Sequence, residues 1–269
     1  MSNRNDYIGV FDSGVGGLTV LKEMMERLPN EKIIYFGDTA NVPYGTKSDE
    51  QIKAFAKNDI EFLLKHNVKA VVIACNTADS VARSTLEENY DIPIFGVIDP
   101  ASKEACDISK NKRIGVMATV ATVASGSYEK MMKAYDDVEV FSLACPLLVP
   151  LVENGRYKKD DVVVREVLKE YLDELLKHDV DTIVLGCTHY PLLKDAILDL
   201  VGDIQIVSSS KAAVNAITKG LEEAQLLSDT TDTDIQYYVS DAAEHFKENA
   251  KIFIGDDFSG EVIKVSYEE

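Results

Sequence analysis

Two stretches of the chain read alike at a constant spacing, and this limits the fold more than any other feature. Residues 61–75 are EFLLKHNVKAVVIAC and residues 173–187 are DELLKHDVDTIVLGC. At an offset of 112, seven of the fifteen positions are identical: Leu63/Leu175, Leu64/Leu176, Lys65/Lys177, His66/His178, Val68/Val180, Val72/Val184 and Cys75/Cys187. A weaker pair, YIGVFDS (7–13) and RIGVMAT (113–119), lies at an offset of 106. Two unrelated helix–strand units would share leucines and valines through periodicity alone. They would not share Lys, His and Cys, so the chain reads as two related halves, each with a cysteine directly behind an apolar strand.

Short runs rich in Val and Ile recur at 8–11, 33–36, 70–74, 94–98, 114–117, 138–143, 182–185 and 204–207, with amphipathic segments such as 18–28, 49–66 and 160–178 between them. Near-continuous apolar strands suit sheets buried on both faces, and the alternation predicts an α/β fold with crossover helices and mostly parallel central sheets. After a polar loop at 228–234 come strand-like runs at 236–239, 251–254 and 262–265, with a helix over 241–249. This tail is too short for a domain of its own and is expected to pack on the first half. The expected division is 1–98 plus 209–269 for the first α/β domain and 99–208 for the second, pseudo-symmetric with it, with the active site in the cleft between them.

Composition narrows the function. The charge count, 28 − 46 = −18, repels phosphates and anionic lipid, which argues against nucleic-acid partners. No apolar run approaches the ~18 residues of a membrane span. Residues 1–6 are polar and short, so no export signal is expected. Cys75, Cys106, Cys145 and Cys187 form no CxxC pair, so free thiols in a reducing, cytoplasmic compartment are expected.

Ligands of open parallel sheets bind beyond the carboxyl ends of the strands. There the sequence places Asp12-Ser13-Gly14, Asp38, Tyr44-Gly45, Cys75-Asn76-Thr77, Thr119 with Thr122, and Cys187-Thr188-His189. Ser13, Thr77 and Thr188 also suit helix N-caps. A thiol at a helix start is expected to have a lowered pKa. Cys106, in a helical stretch at 101–109, and Cys145, before Pro146, read as buried thiols that act as small hydrophobes. His66 and His178 read as structural residues at helix ends, and His245 as a surface residue. Two equivalent thiols across a cleft can work on opposite faces of one carbon: one removes a proton, the other returns one, and a stereocentre inverts without a cofactor. Asp12 and His189 could serve the two thiols as proton carriers, and N–H groups at the helix starts could hold substrate carboxylates.

Two other chemistries compete. Gly14-x-Gly16 behind a strand, with Asp38 further on, suggests a dinucleotide site, but Thr19 stands where a third glycine belongs and Asp12 would repel a pyrophosphate. Cys75, Cys187 and His189 could bind zinc, but lack the close ligand pairs of structural sites. A metabolite-binding module with structural cysteines is the non-enzymatic alternative.

The segments FDSGVGGLTVL (11–21), GDTANVPYG (37–45), ACNTA (74–78), ACPLLVPLVENG (144–155) and GCTHYPLL (186–193) closely resemble those of the glutamate racemases, in the aspartate/glutamate racemase superfamily. The resemblance spans nearly the whole chain. It implies a cofactor-independent enzyme with no metal, two α/β domains, a homodimer and glutamate as substrate, with D-glutamate destined for peptidoglycan. It puts the catalytic cysteines at Cys75, acting on the D-enantiomer, and Cys187, acting on the L-enantiomer. Assisting acids and bases fall on Asp12, Glu153 and His189. Substrate-binding positions fall on Asp12, Ser13, Tyr44, Gly45, Asn76, Thr77, Thr188 and His189. The chain departs from the family pattern at Asn41-Val42, at Asp79 and in IVSSS (206–210).

Overall fold

The computed structural model describes residues 3–255, 258 and 260–266. Within them the apolar runs form β1 (Tyr7–Asp12), β2 (Ile33–Gly37), β3 (Val68–Ile73), β4 (Ile94–Phe95), β5 (Arg113–Ala118), β6 (Glu139–Ala144), β7 (Thr182–Gly186), β8 (Gln205–Ser208), β9 (Ile235–Val239) and β10 (Val262–Lys264). The described strands make one sheet in the order β10-β9-β2-β1-β3-β4 and another in the order β6-β5-β7-β8, with every pairing parallel. β2-β1-β3-β4 and β6-β5-β7-β8 are the same arrangement twice, and the repeat maps β1 onto β5 and β3 onto β7. β2, β3 and β7 are buried along their whole length, as strands covered on both faces must be.

The physical content of the repeat is visible at its joints. The helices Asp49–Leu64 and Val162–Leu176 end in matched turns, in which Asn67 (φ 53°) and Asp179 (φ 52°) both take the left-handed conformation. Short polar side chains tolerate it best among residues other than glycine. Leu63 and Leu175 then drop onto the sheets over Gly9 and Gly115. A Cβ at Gly9 would come within 3.0 Å of the Leu63 side chain, and one at Gly115 within 3.4 Å of Leu175. Burying each of these leucines contributes about 2 kcal/mol.

One apolar cluster runs from Val10 and Tyr35 through Val97 and Ala101 to Val116 and Val184, so the two sheets share a core. The helix Ser209–Glu223 closes that core, packing on both Leu18–Arg27 and Ile98–Ile108. A second cluster, with Phe36, Ile60 and Leu63, fills the other face of the larger sheet. The tail packs on the first half as expected, β9 pairing with β2.

Two expectations need correcting. The run at 251–254 is not a strand but the last turn of the helix Ala243–Phe253. Phe246, Ala250 and Phe253 recur at helical spacing and are buried, a period that the short apolar run conceals. The strand expected at 94–98 stops at Phe95, because Ile98 begins the helix Ile98–Ile108. Among the described residues no helix is long and apolar enough to cross a membrane.

Candidate active site

The carboxyl ends of the central strands of both sheets open on one cavity of about 370 Å³. Ser13 reaches it from β1, Cys75, Asn76 and Thr77 from β3, Thr119 from β5, and Cys187, Thr188 and His189 from β7. Tyr44 and Gly45, on the loop after β2, and Glu153, at the end of the helix Leu148–Glu153, also line it. Asp12 does not line the cavity. It lies fully buried at the end of β1, with Oδ2 accepting the Gly14 N–H at 3.0 Å. Its other oxygen, Oδ1, finds no hydrogen-bond partner among the described residues. Thr122 also sits behind the wall, bonded to Thr77 at 3.3 Å and Thr119 at 3.0 Å.

The two thiols are equivalent in sequence and different in setting. Cys75 is the N-cap of the regular helix Asn76–Asn89, and its Sγ donates toward Ser13 Oγ at 3.7 Å. Cys187 opens a turn that leads into the short 3₁₀ segment Tyr190–Leu193, and its Sγ faces His189 Nδ1 at 3.9 Å. The other ring nitrogen of His189 is 2.9 Å from Glu153 Oε1. The cap positions expected at Ser13, Thr77 and Thr188 are not used: Gly17 stands at the start of Leu18–Arg27 and Cys75 takes the place ahead of Thr77.

The expected lowering of the Cys75 pKa is overturned. Burial pushes this thiol up to about 12, and the nearby Asp12 carboxylate adds to the rise. Hydrogen bonding to Ala78 and Ser13 pulls the other way and does not compensate. A helix start offers roughly half a charge, less than full desolvation removes. Burial likewise lifts the Asp12 carboxyl above its ordinary value, against the pull of His189 and of the Gly17 and Gly14 N–H groups. At His189 burial opposes the imidazolium, but the Cys187 and Glu153 contacts together outweigh it and raise the pKa from 6.5 to about 10.

This raised value has a sign that can be checked. A histidine bound more tightly to its proton in the folded state stabilises the fold fully below pH 6.5, and that contribution fades as pH rises through about 10. The stability difference between the wild type and His189→Gln, followed by urea unfolding from pH 6 to 10.5, should therefore shrink with pH. A flat difference would mean that the ring carries no such charge.

The features that suggested a dinucleotide are already engaged. The Gly14 N–H turns inward to Asp12, and Tyr35 Oη donates to the Gly14 carbonyl at 2.8 Å. Asp38 accepts from Tyr44 Oη at 2.6 Å and Ser240 Oγ at 2.7 Å. Among the described residues, no three His, Cys, Asp or Glu side chains gather as a metal-binding group. His66 bonds the Phe62 carbonyl at 3.0 Å, His178 stacks on Phe141 at 4.1 Å, and the His245 side chain is exposed, as expected.

Sequence reasoning missed two parts of the site. Cys145, read as an inert buried thiol, is buried but lines the cavity, together with the apolar wall of Pro146, Val149 and Tyr190. It follows β6, so the strand-end rule that found the other residues applied to it as well. Tyr128, whose hydroxyl donates to Asn76 Oδ1 at 2.6 Å, lies in the first turn of the helix Ser127–Tyr135, follows no strand and had no local signal.

The Asp/Glu/Hydantoin racemase family profile matches residues 8–217. A glutamate racemase from Syntrophus aciditrophicus is 43% identical over 256 residues, covering 94% of each chain. The crystal structure of glutamate racemase isoform RacE1 from Bacillus anthracis superposes with a TM-score of 0.94 at 37% identity, over 98% of both chains. The glutamate racemase of Francisella tularensis, solved in complex with D-glutamate, gives a TM-score of 0.91 at 36% identity, over 98% of this chain and 99% of that one. With a matching profile over most of its length and a relative above 40% identity across nearly all of it, the chain belongs to the Asp/Glu/Hydantoin racemase family and is an isomerase.

Proposed function

We propose that this protein interconverts L- and D-glutamate by proton transfer between Cys75 and Cys187, with no cofactor. The observation that carries the reading is the pair of thiols behind equivalent strands, β3 and β7, of two matched half-folds, both opening on one cavity. The D-glutamate complex of the Francisella relative supports the choice of substrate.

In this reading the substrate lies with its α-carbon between the two sulfurs. Its carboxylates take hydroxyl and N–H donors from Ser13, Asn76, Thr77 and Thr188, with Tyr44 and Gly45 closing one side. From the D-enantiomer, the Cys75 thiolate takes the α-hydrogen and the Cys187 thiol protonates the opposite face. L-glutamate leaves, with Cys75 now a thiol and Cys187 a thiolate. From the L-enantiomer the roles reverse. A Cys75 thiol held near 12 is protonated at neutral pH and so is ready as the acid for the L-to-D direction. For the other direction its proton must first go elsewhere. Asp12, also buried and electrostatically coupled to it, is the nearby carboxylate that can take it. His189, held by Glu153, carries the proton of Cys187. No oxidation state changes at any step.

We extend the proposal to the setting of the reaction. Residues 1–98 plus 209–269 and residues 99–208 are the two domains, in keeping with which residues enter which sheet. The resemblance to the family supports a cytoplasmic homodimer whose product serves peptidoglycan synthesis.

The test needs only purified protein and D- or L-glutamate in D₂O, with no added cofactor. Loss of the α-proton by NMR together with inversion by polarimetry is the expected result. Activity on aspartate alone would reassign the substrate. Inertness toward both would sink the two-thiol reading and leave a binding module.

A further inference from the structure

Asp79 is a buried carboxylate that does not line the cavity. It sits one turn into the helix that Cys75 caps, and its N–H donates to the Cys75 carbonyl at 2.9 Å. Its side chain leaves that helix and reaches the chain just beyond β4. Oδ2 accepts the N–H groups of both Val97 and Ile98, each at 2.8 Å. These are the cap and first residue of the helix Ile98–Ile108, and Val97 supplies no side-chain cap of its own. At this point the chain leaves the six-stranded sheet for the four-stranded one that carries Cys187.

The fit is close and costly. A Cβ at Gly96 would fall 2.1 Å from Asp79 Oδ1, so the carboxylate occupies the space a side chain there would need. Oδ1 itself has no hydrogen-bond partner among the described residues, and Arg83 approaches it only to 3.9 Å. Burial pushes the carboxyl up to about 6 against Arg83 and the Ile98 and Val97 N–H groups. An under-satisfied buried carboxylate is a poor stabiliser. As a tie between two helices it has a clear use, because a carboxylate can take two N–H donors of a helix start at once.

We propose that Asp79 is a positioning residue: by clamping Val97 and Ile98 to the Cys75 helix, it sets the alignment of the two thiols across the cavity. This rests on the two-thiol reading above. Inversion needs both sulfurs in line with the α-carbon, whereas hydrogen exchange without inversion needs only one. Loosening the clamp should therefore change the balance of the two reactions, and misplacements of about 1 Å are enough to matter for catalysis.

The experiment measures, at early times in D₂O, the ratio of deuterated substrate enantiomer to inverted product for the wild type, Asp79→Ala, Asp79→Ser and Asp79→Asn. The ratio does not depend on how much enzyme is folded. In Asp79→Ala and Asp79→Ser it should rise by about fivefold or more. In Asp79→Asn, whose amide oxygen can still accept both N–H groups, it should stay near the wild-type value. If Asp79→Ala does not fold, Asp79→Ser decides. An unchanged ratio in a variant that merely melts at lower temperature would overturn the proposal and make the carboxylate a structural cap. A wild type that does not invert glutamate would overturn the two-thiol reading, and this inference with it.

Discussion

Cys75→Ser should lose inversion in both directions, by roughly 10³-fold or more, since a positioned acid or base contributes 10²- to 10⁴-fold and both directions need this one. It should still exchange the α-hydrogen of L-glutamate with D₂O, because Cys187 and His189 remain to remove and return that hydrogen on one face. Cys187→Ser should show the mirror result, with exchange surviving only on D-glutamate. The hydroxyl is a far weaker acid than the thiol and does not replace it. Both substitutions are nearly isosteric at sites only 6% exposed, so the fold should survive. NMR on each enantiomer separately reads the outcome. A single variant that still inverts at the wild-type rate would show that one sulfur suffices. Equal loss of exchange on both enantiomers would mean that the thiols hold the substrate rather than work on its two faces.

The pair is not symmetric in its support, and this bears on direction. Cys187 faces a histidine that Glu153 holds from behind, while Cys75 faces a serine hydroxyl, with a buried carboxylate nearby. One thiol therefore meets a group that favours positive charge and the other a group that disfavours further negative charge. The sequence repeat explains why the sulfurs match. It also explains why their neighbours do not: Asp12 falls at the end of β1, and the equivalent position at the end of β5 is Ala118.

Much of this architecture is legible in the sequence alone. The 112-residue offset is borne out residue by residue, down to the paired left-handed Asn67 and Asp179. It was readable because the repeat preserves the residues that make the joints, the leucine over a glycine and the polar turn, and not merely apolar periodicity. The rim residues were legible through the strand-end rule. Local reasoning failed where two influences compete. The dipole argument for Cys75 lost to desolvation, whose size depends on everything packed around the sulfur. The run at 251–254 looked like a strand because four residues cannot separate a period of 2 from one of 3.6. Asp79 and Tyr128 were invisible as partners because their contacts lie 18 and 52 residues away in sequence.

Lys69 was equally invisible, and it carries the largest expected effect on stability. It is the second residue of β3, a lysine within a fully buried strand. Its ammonium pairs with Glu31 just ahead of β2 and donates to the Arg4 carbonyl, and both side chains are almost wholly buried. Glu31 in turn accepts the Ser228 N–H at 2.9 Å. Four chain segments thus meet on one ion pair at the amino ends of the strands, away from the cavity. Burial lowers the Lys69 pKa, and Glu31 only partly restores it. Such a pair adds little beyond an apolar replacement, but breaking it strands a charge. Lys69→Met should cost about 3–5 kcal/mol, and for a chain of this size roughly 10 °C in Tm. The double variant Lys69→Met/Glu31→Gln should regain more than half of that loss, because the amide keeps an acceptor for Ser228 and offers a donor to the Arg4 carbonyl. Urea unfolding at pH 7 measures both, and kcat at 25 °C should stay unchanged in either, since the pair lies at the opposite end of the sheet from the thiols. A loss below about 1 kcal/mol in Lys69→Met would mean that Glu31 finds water or a proton cheaply, and that this corner is open to solvent.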